Sequence, residues 1–176
     1  MKIIQAPNEI LSKKCREVVS FDKDLHLLIQ KMSRTLTQAH DPDCVGLAAN
    51  QVGVDLAFFI MRPTTESEIT VHINPILKSI NPVQKKKSNR KPKIKYEGCM
   101  SLPRIWGEMK RAEKVLISFQ DQNGKKYEKW YSGFAAQIIQ HEIDHLNGIL
   151  FTQRVIEQGG ELFEEKEDKL VPISFQ

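Results

Sequence analysis

The sequence predicts an α+β fold in which mixed and antiparallel strands pack around one central helix that carries paired histidines. Three observations lead there. Residues 22–40 place apolar side chains at helical spacing. Residues 114–131 alternate about an Asp121-Gln122-Asn123-Gly124 turn, as a hairpin does. Residues 133–146 return to the helical period, and this stretch holds His141 and His145 on one face.

In the first helix Leu25, Leu28, Ile29, Met32, Leu36 and Ala39 form the apolar stripe, with Asp22 as N-cap and Asp41-Pro42-Asp43 as the stop. Gly46 to Gly53 (GLAANQVG) is rich in small residues and reads as a tight loop or a strand approached closely by another backbone. Leu56–Met61 and Ile69–Ile73 read as strands joined in a hairpin through the polar TTES stretch. Residues 79–95, with two prolines and a lysine run, read as an exposed loop. Lys114–Gln120 and Lys125–Tyr131 are the two arms of the hairpin. Ser132 is placed to cap a helix from Gly133 to Leu146, which Asn147-Gly148 closes. Phe134, Ala135, Ile138, Ile139 and Leu146 predict that this helix is buried. Gly159-Gly160 breaks the chain before ELFEEKEDKL, which reads as a short, exposed, acidic helix.

A chain of 176 residues is most simply one domain, large enough to bury a real core. The net charge of +4 is unevenly spread: residues 85–95 hold seven basic residues and no acid, whereas residues 156–176 hold six acids and two lysines. A weakly basic whole does not call for a specific nucleic-acid partner. No apolar run approaches the length of a membrane span, and the N-terminal MKIIQAPNEILSKKC lacks the apolar stretch of a signal peptide, so a cytoplasmic protein is expected. Three cysteines, Cys15, Cys44 and Cys99, follow no framework spacing and point to a reducing compartment.

His141-Glu142-Ile143-Asp144-His145 is the most informative segment. Two imidazoles one helical turn apart can reach a single metal ion, and the glutamate between them can shuttle a proton. This is the signature of a metal-dependent hydrolase, with a third protein ligand still to be found. Downstream stand Glu157, Glu161, Glu164, Glu165, Glu167 and Asp168, which together look like a solvated acidic face. Upstream stands Cys99, in Glu97-Gly98-Cys99-Met100-Ser101-Leu102-Pro103; a lone cysteine is more often a small buried hydrophobe. Spacing alone leaves both alternatives open.

GLAANQVG (46–53), EGCMSLP (97–103) and QHEIDHLNG (140–148), in this order, resemble the three signature segments of the peptide deformylases. Ala6-Pro7 to Val18 and Trp106 to Arg111 also resemble that family, so the likeness spans about residues 3–156 and leaves 157–176 as an acidic C-terminal tail. The resemblance implies a metallo-amidohydrolase that removes the formyl group from the N-terminal formyl-methionine of nascent peptides and releases formate. It implies Cys99, His141 and His145 as ligands of one divalent ion, Fe²⁺ before Zn²⁺, Ni²⁺ or Co²⁺, with water in the fourth position. It implies Glu142 as general base and then acid, and Gln51 with the backbone N–H of Met100 as oxyanion donors. By the same analogy the backbone of residues 44–46, Cys44, Val45 and Gly46, pairs with the peptide; Val45, Phe134 and Ile138 either line an apolar pocket for the methionine side chain or are plain core. Glu97 and Arg111 resemble a family ion pair that supports the Cys99 loop, and Asp144 is expected either behind the ligands or on the helix surface.

The chain departs from the family pattern at Cys44, where the pattern has glycine, and at Gln137, one turn before His141. Cys44 is expected to narrow the pocket entrance or to place an oxidisable thiol near the metal, tuning access without stopping catalysis. The lysine-rich 85–95 segment reads as a solvated loop or as a contact for transient ribosome association, salt-dependent if so. The competing readings are a zincin-like metalloprotease, with its third ligand downstream, and a non-catalytic homologue of the deformylases. The complete set of Cys99, His141, Glu142, His145 and Gln51 argues against the latter.

Overall fold

The computed structural model describes residues 1–39, 44–81 and 96–174. Helix α1 (Lys23–Gln38) begins where expected: the Asp22 carboxylate accepts from the N–H groups of Asp24 and Leu25, each at 3.0 Å. Its buried stripe is Leu25, Ile29, Met32 and Leu36. The stop at residues 41–43 lies outside the described residues, as does the lysine-rich segment 85–95.

Strands β1 (Gly46–Ala48), β2 (Phe58–Met61) and β3 (Thr70–Asn81) are followed in sequence by β4 (Tyr96–Cys99) and β5 (Leu102–Glu108), then β6 (Lys114–Gln120) and β7 (Lys126–Ser132). One antiparallel sheet runs in the order β1-β2-β3-β6-β7. The predicted hairpins are both present: β2 pairs β3 with Phe58 opposite Ile73, and β6 pairs β7 without a slip from Lys114↔Ser132 to Gln120↔Lys126. Asp121 sets that second turn, its Oδ1 accepting from the N–H groups of Asn123 and Lys125 at 2.8 and 3.0 Å.

Both faces of this sheet are covered, which explains why Phe58–Met61 is an unbroken apolar run. Phe58 and Ile60 pack with Leu47, Ile73 and the α1 stripe. Phe59 and Met61 point the other way, into a core shared with Val115, Ile117 and the second helix, α2 (Phe134–Leu146). The α2 residues Ala136, Ile138, Ile139, Ile143 and Leu146 fill that side.

The sequence misplaced the start of α2. Ser132 is the last residue of β7 and stays paired with Lys114, so the N-cap is Gly133, with no side-chain cap. A pairing partner across the ladder outweighed a local capping preference. Phe134, expected inside, is 53% exposed because the helix emerges at the mouth of a cleft. The other end is as expected. The chain turns at Gly148, whose φ of +73° favours glycine; a Cβ there would also come within 2.6 Å of the Ser12 backbone.

A short helix, α3 (Phe151–Glu157), follows at once, with Phe151 and Val155 buried against Met109 and Leu162. The acidic segment expected to be helical is instead a hairpin, β8 (Leu162–Lys166) and β9 (Lys169–Pro172). It completes a second antiparallel sheet in the order β4-β5-β8-β9. Glu and Lys prefer helix locally, but the open backbone edge of β5 takes up β8, with Trp106 opposite Phe163. Among the described residues no helix is long and apolar enough to cross a membrane.

Candidate metal centre

The central helix runs past both sheets, and the site lies where its buried face meets the ends of β1 and β4. His141 and His145 are four residues apart on α2, so their rings lie one above the other, with Nε2 atoms 3.2 Å apart. Cys99 ends β4, at the register shift that lets the chain turn into β5. Its Sγ lies 3.1 Å from His145 Nε2. The ligand atoms of Cys99, His141 and His145 all fall within 4.8 Å of one another.

Two observations test whether these residues suit a metal ion. Tetrahedral ligation with metal–N near 2.0 Å and metal–S near 2.3 Å requires donor separations of roughly 3.3–3.6 Å; the two that involve His145 Nε2, 3.1 and 3.2 Å, are close to this. The other ring nitrogen of His141, Nδ1, donates to Glu97 Oε1 at 2.7 Å, so the neutral ring presents the Nε2 lone pair to the site. The donor set fits a borderline divalent ion. Three of the downstream acids of the alternative reading are engaged elsewhere. Glu157 pairs with Arg154, Glu164 with Lys166, and Glu165 with the indole N–H of Trp106.

The electrostatics are set by burial and neighbours. Burial pushes the Cys99 thiol up, but His145 and His141 outweigh it and hold the group well below its usual range. The Ser101 N–H and Gln51 Nε2 also point at the sulfur, at 3.4 and 3.5 Å. Burial pushes His141 down, and Cys99 and Glu97 more than reverse that. Burial raises Glu97 too, yet its hydrogen bonds to His141 and Arg111 bring it down to about 2. Arg111 grips both Glu97 oxygens through Nε and Nη2 at 3.0 and 2.6 Å.

Glu142 is 3% exposed, and its Oε2 has no hydrogen-bond partner among the described residues. Desolvation raises its carboxyl to about 7, against the pull of His141 and His145. A carboxylate poised there can both take and return a proton near neutrality. Room for it is made by Gly46: a Cβ at that position would collide with Glu142 Oε1, and would lie 2.8 Å from its Cδ and 2.9 Å from Ile138 Cγ2.

Gln51 is fully buried in the short turn Ala49–Val52 that follows β1. Its Oε1 accepts from the Ala48 N–H at 2.8 Å, which aims Nε2 toward Ser101 Oγ and Cys99. Cys99, His141, Glu142, Gln51 and Met100 border one cleft of about 800 Å³, counting its open mouth. Cys44, Val45, Gly46, Phe134 and Ile138 form its other expected walls, and Gln137 is on the same lining. His145 lies behind this lining, 1% exposed.

Several contributors escaped the sequence reading. Asn50 Nδ2 donates to the His145 carbonyl at 2.6 Å, tying the β1 turn to α2. Ser101 is fully buried beside Gln51. Both sit inside signature segments, a signal that was available. Trp106 and Tyr96 also border the cleft, and the Trp106 ring packs on Gly98. Gln140 ties α2 to the segment before β6: its amide accepts from the Ala112 N–H and donates to the Ala112 carbonyl, both at 3.0 Å. Asp144 is not a surface residue; it is held between Arg111 and Arg154.

Comparison with known proteins bears on what such a cleft does. The profile of the family described as Polypeptide deformylase matches residues 1–160. "Peptide deformylase 1" of Bacillus cereus is 38% identical over 155 residues, covering 88% of this chain and 92% of that protein. The crystal structure of peptide deformylase from Thermotoga maritima superposes with a TM-score of 0.76 at 32% identity, covering 88% of this chain and 96% of that one. A peptide deformylase structure from Legionella pneumophila gives 0.76 at 36% identity, covering 87% and 84%.

Proposed function

The chain belongs to the polypeptide deformylase family, and on that premise we propose how its own residues carry out the family's reaction. The protein is a metallo-hydrolase that removes the N-formyl group from the formyl-methionine of new polypeptides. One observation carries the residue assignment: a buried carboxylate, Glu142, faces the cleft beside the Cys99-His141-His145 triad, with one oxygen that has no hydrogen-bond partner among the described residues.

Cys99, His141 and His145 would hold one divalent ion, which we take to be Fe²⁺, with Zn²⁺, Ni²⁺ and Co²⁺ also suited to the donors. When bound, such an ion supplies Lewis acidity and makes water a stronger acid. Everything else is done by the chain. The backbone of residues 44–46 lines the cleft where an extended peptide can pair with it, and Val45, Phe134 and Ile138 offer apolar surface to its first side chain. Glu142 takes a proton from the attacking water and delivers it to the departing amine, so that formate and a free N-terminus leave. Gln51 Nε2 and the Met100 N–H donate to the formyl oxygen as it takes up negative charge on attack at the formyl carbon.

The whole chain, 1–176, acts as one domain in this reading, in the cytoplasm. We propose that the charge of segment 85–95 supports transient ribosome association, the alternative being a solvated loop; sedimentation with Lys85–Lys87 reversed in charge would decide between them. The main test is formate release from formyl-Met-Ala-Ser by anaerobically purified, metal-loaded protein. The parent should be active and Glu142→Ala should lose roughly 10²–10⁴-fold in kcat while keeping its metal. A Glu142→Ala variant with full activity would overturn the assignment.

A further inference from the structure

Arg154 stands outside the cleft, on α3, yet it is joined to a metal-site histidine by an unbroken series of charged contacts. Its Nε and Nη2 donate to Asp144 Oδ1 at 3.2 and 2.9 Å. The other Asp144 oxygen accepts from Arg111 Nη1 at 2.5 Å. The rest of the Arg111 fork is spent on Glu97, and Glu97 Oε1 accepts from His141 Nδ1.

The three inner side chains are nearly dry: Arg111 is 8% exposed, Asp144 10% and Glu97 16%. Arg111 therefore serves both inner carboxylates, and Arg154, which also pairs with the exposed Glu157 at 3.0 Å, supplies Asp144 with its second cation. Without it, Asp144 would be a buried carboxylate with one partner, and that partner is the group that also holds Glu97. Arg111 would be drawn toward Asp144, because an under-paired, nearly buried charge is costly. Glu97 would then lose part of its hold, and with it the fixed tautomer and direction of the His141 ring.

We propose that Arg154 is a positioning residue for the metal centre: it balances Asp144 so that Arg111 stays on Glu97 and Glu97 keeps His141 Nε2 aimed at the ion. This rests on the reading that Cys99, His141 and His145 hold a metal. Arg154 and Asp144 lie on different helices, so the balance is a property of how α3 folds back on α2.

The test is a cycle of Arg154→Gln, Asp144→Asn and the double variant, with Arg154→Lys as the conservative control. Co²⁺ is the probe, its affinity measured by chelator competition and read at the thiolate-to-cobalt absorption band; melting of the metal-free proteins is followed in parallel. Arg154→Gln should bind Co²⁺ about tenfold more weakly. Arg154→Lys keeps the charge but not the two-pronged grip on Asp144, so it should bind Co²⁺ more tightly than Arg154→Gln and more weakly than the parent. The double variant restores a balanced Glu97–Arg111 pair and should bind Co²⁺ more tightly than Arg154→Gln alone, a non-additivity expected of contacting charges. If Arg154→Gln melts lower but binds Co²⁺ like the parent, Arg154 only braces α3 and the proposal fails. It also fails if the double variant is as weak as the two single losses combined. A parent protein that binds no Co²⁺ overturns the metal reading beneath it, and this inference with it.

Discussion

Glu97 Oε1 accepts a hydrogen bond from His141 Nδ1 at 2.7 Å, so a strand residue 44 positions upstream sets the tautomer of a helix residue. That single contact decides which ring nitrogen faces Cys99. Replacing Glu97 by Ala should weaken metal binding by about 10–100-fold. It should also destabilise the fold by roughly 3 kcal/mol, because Arg111 would be left half-paired in a dry site. Chelator competition and denaturant unfolding of the same preparation read the two effects separately.

Gly46 has no side chain because the Glu142 carboxylate occupies the space where one would stand. In Gly46→Ala the strand and the helix cannot both keep their positions, and Glu142 is the group with freedom to turn away. The expected result is a loss of kcat of about 10²-fold, the scale of a 1 Å misplacement, with metal content unchanged. Steady-state kinetics on formyl-Met-Ala-Ser beside metal analysis checks it; a Gly46→Ala variant with parental kcat would show that the carboxylate has another resting place.

Gln51 is held at its oxygen by the Ala48 N–H, so its Nε2 is aimed before substrate arrives. Loss of one prealigned oxyanion donor costs about 10²–10³ in rate. Gln51→Ala should therefore fall by that factor in kcat with little change in KM. A pure KM effect would mean that Gln51 binds the substrate rather than the developing charge.

His72 offers a pH test remote from the cleft. It is fully buried, stacked on Phe59 at 4.7 Å and against Phe119 at 4.4 Å, with Nε2 3.0 Å from the Tyr131 hydroxyl. Burial, aided by Lys129, lowers its pKa to about 3. In the unfolded chain the value is about 6.5. Above 6.5 the ring is neutral in both states and contributes no pH dependence. As pH falls from 6.5 toward 3 the unfolded chain takes up a proton that the folded one refuses, so stability is lost at up to about 1.4 kcal/mol per pH unit. His72→Phe should flatten the acid limb of stability in that window relative to the parent, as urea unfolding at pH 7, 6, 5 and 4 would measure. Parallel acid limbs would mean that His72 is protonated within the fold.

What could be read from the sequence was mostly local. The spacing of His141 and His145 is a property of any helix, and the 114–132 hairpin follows from the chemistry of Asp121 and Gly124 and from alternation on both arms. The resemblance of three short segments added Cys99 and Gln51, which no spacing argument could connect to the histidines. Segment 161–170 was misread because its Glu and Lys side chains favour helix, whereas its backbone answered the open edge of β5. Ser132 lost its predicted capping position to Lys114 across the ladder.

By itself, then, the sequence determined the periods of its helices and strands, the histidine pair with its intervening glutamate, and the α+β class. Those depend on neighbours within a turn or two. The tertiary structure alone decided that Cys99 lies 3.1 Å from His145, that Gly46 makes room for Glu142, and that Asp144 is shared by Arg111 and Arg154. Each of these joins residues from separate elements, and a charge or a carboxylate acquires its chemistry only from what the fold leaves around it once water is gone.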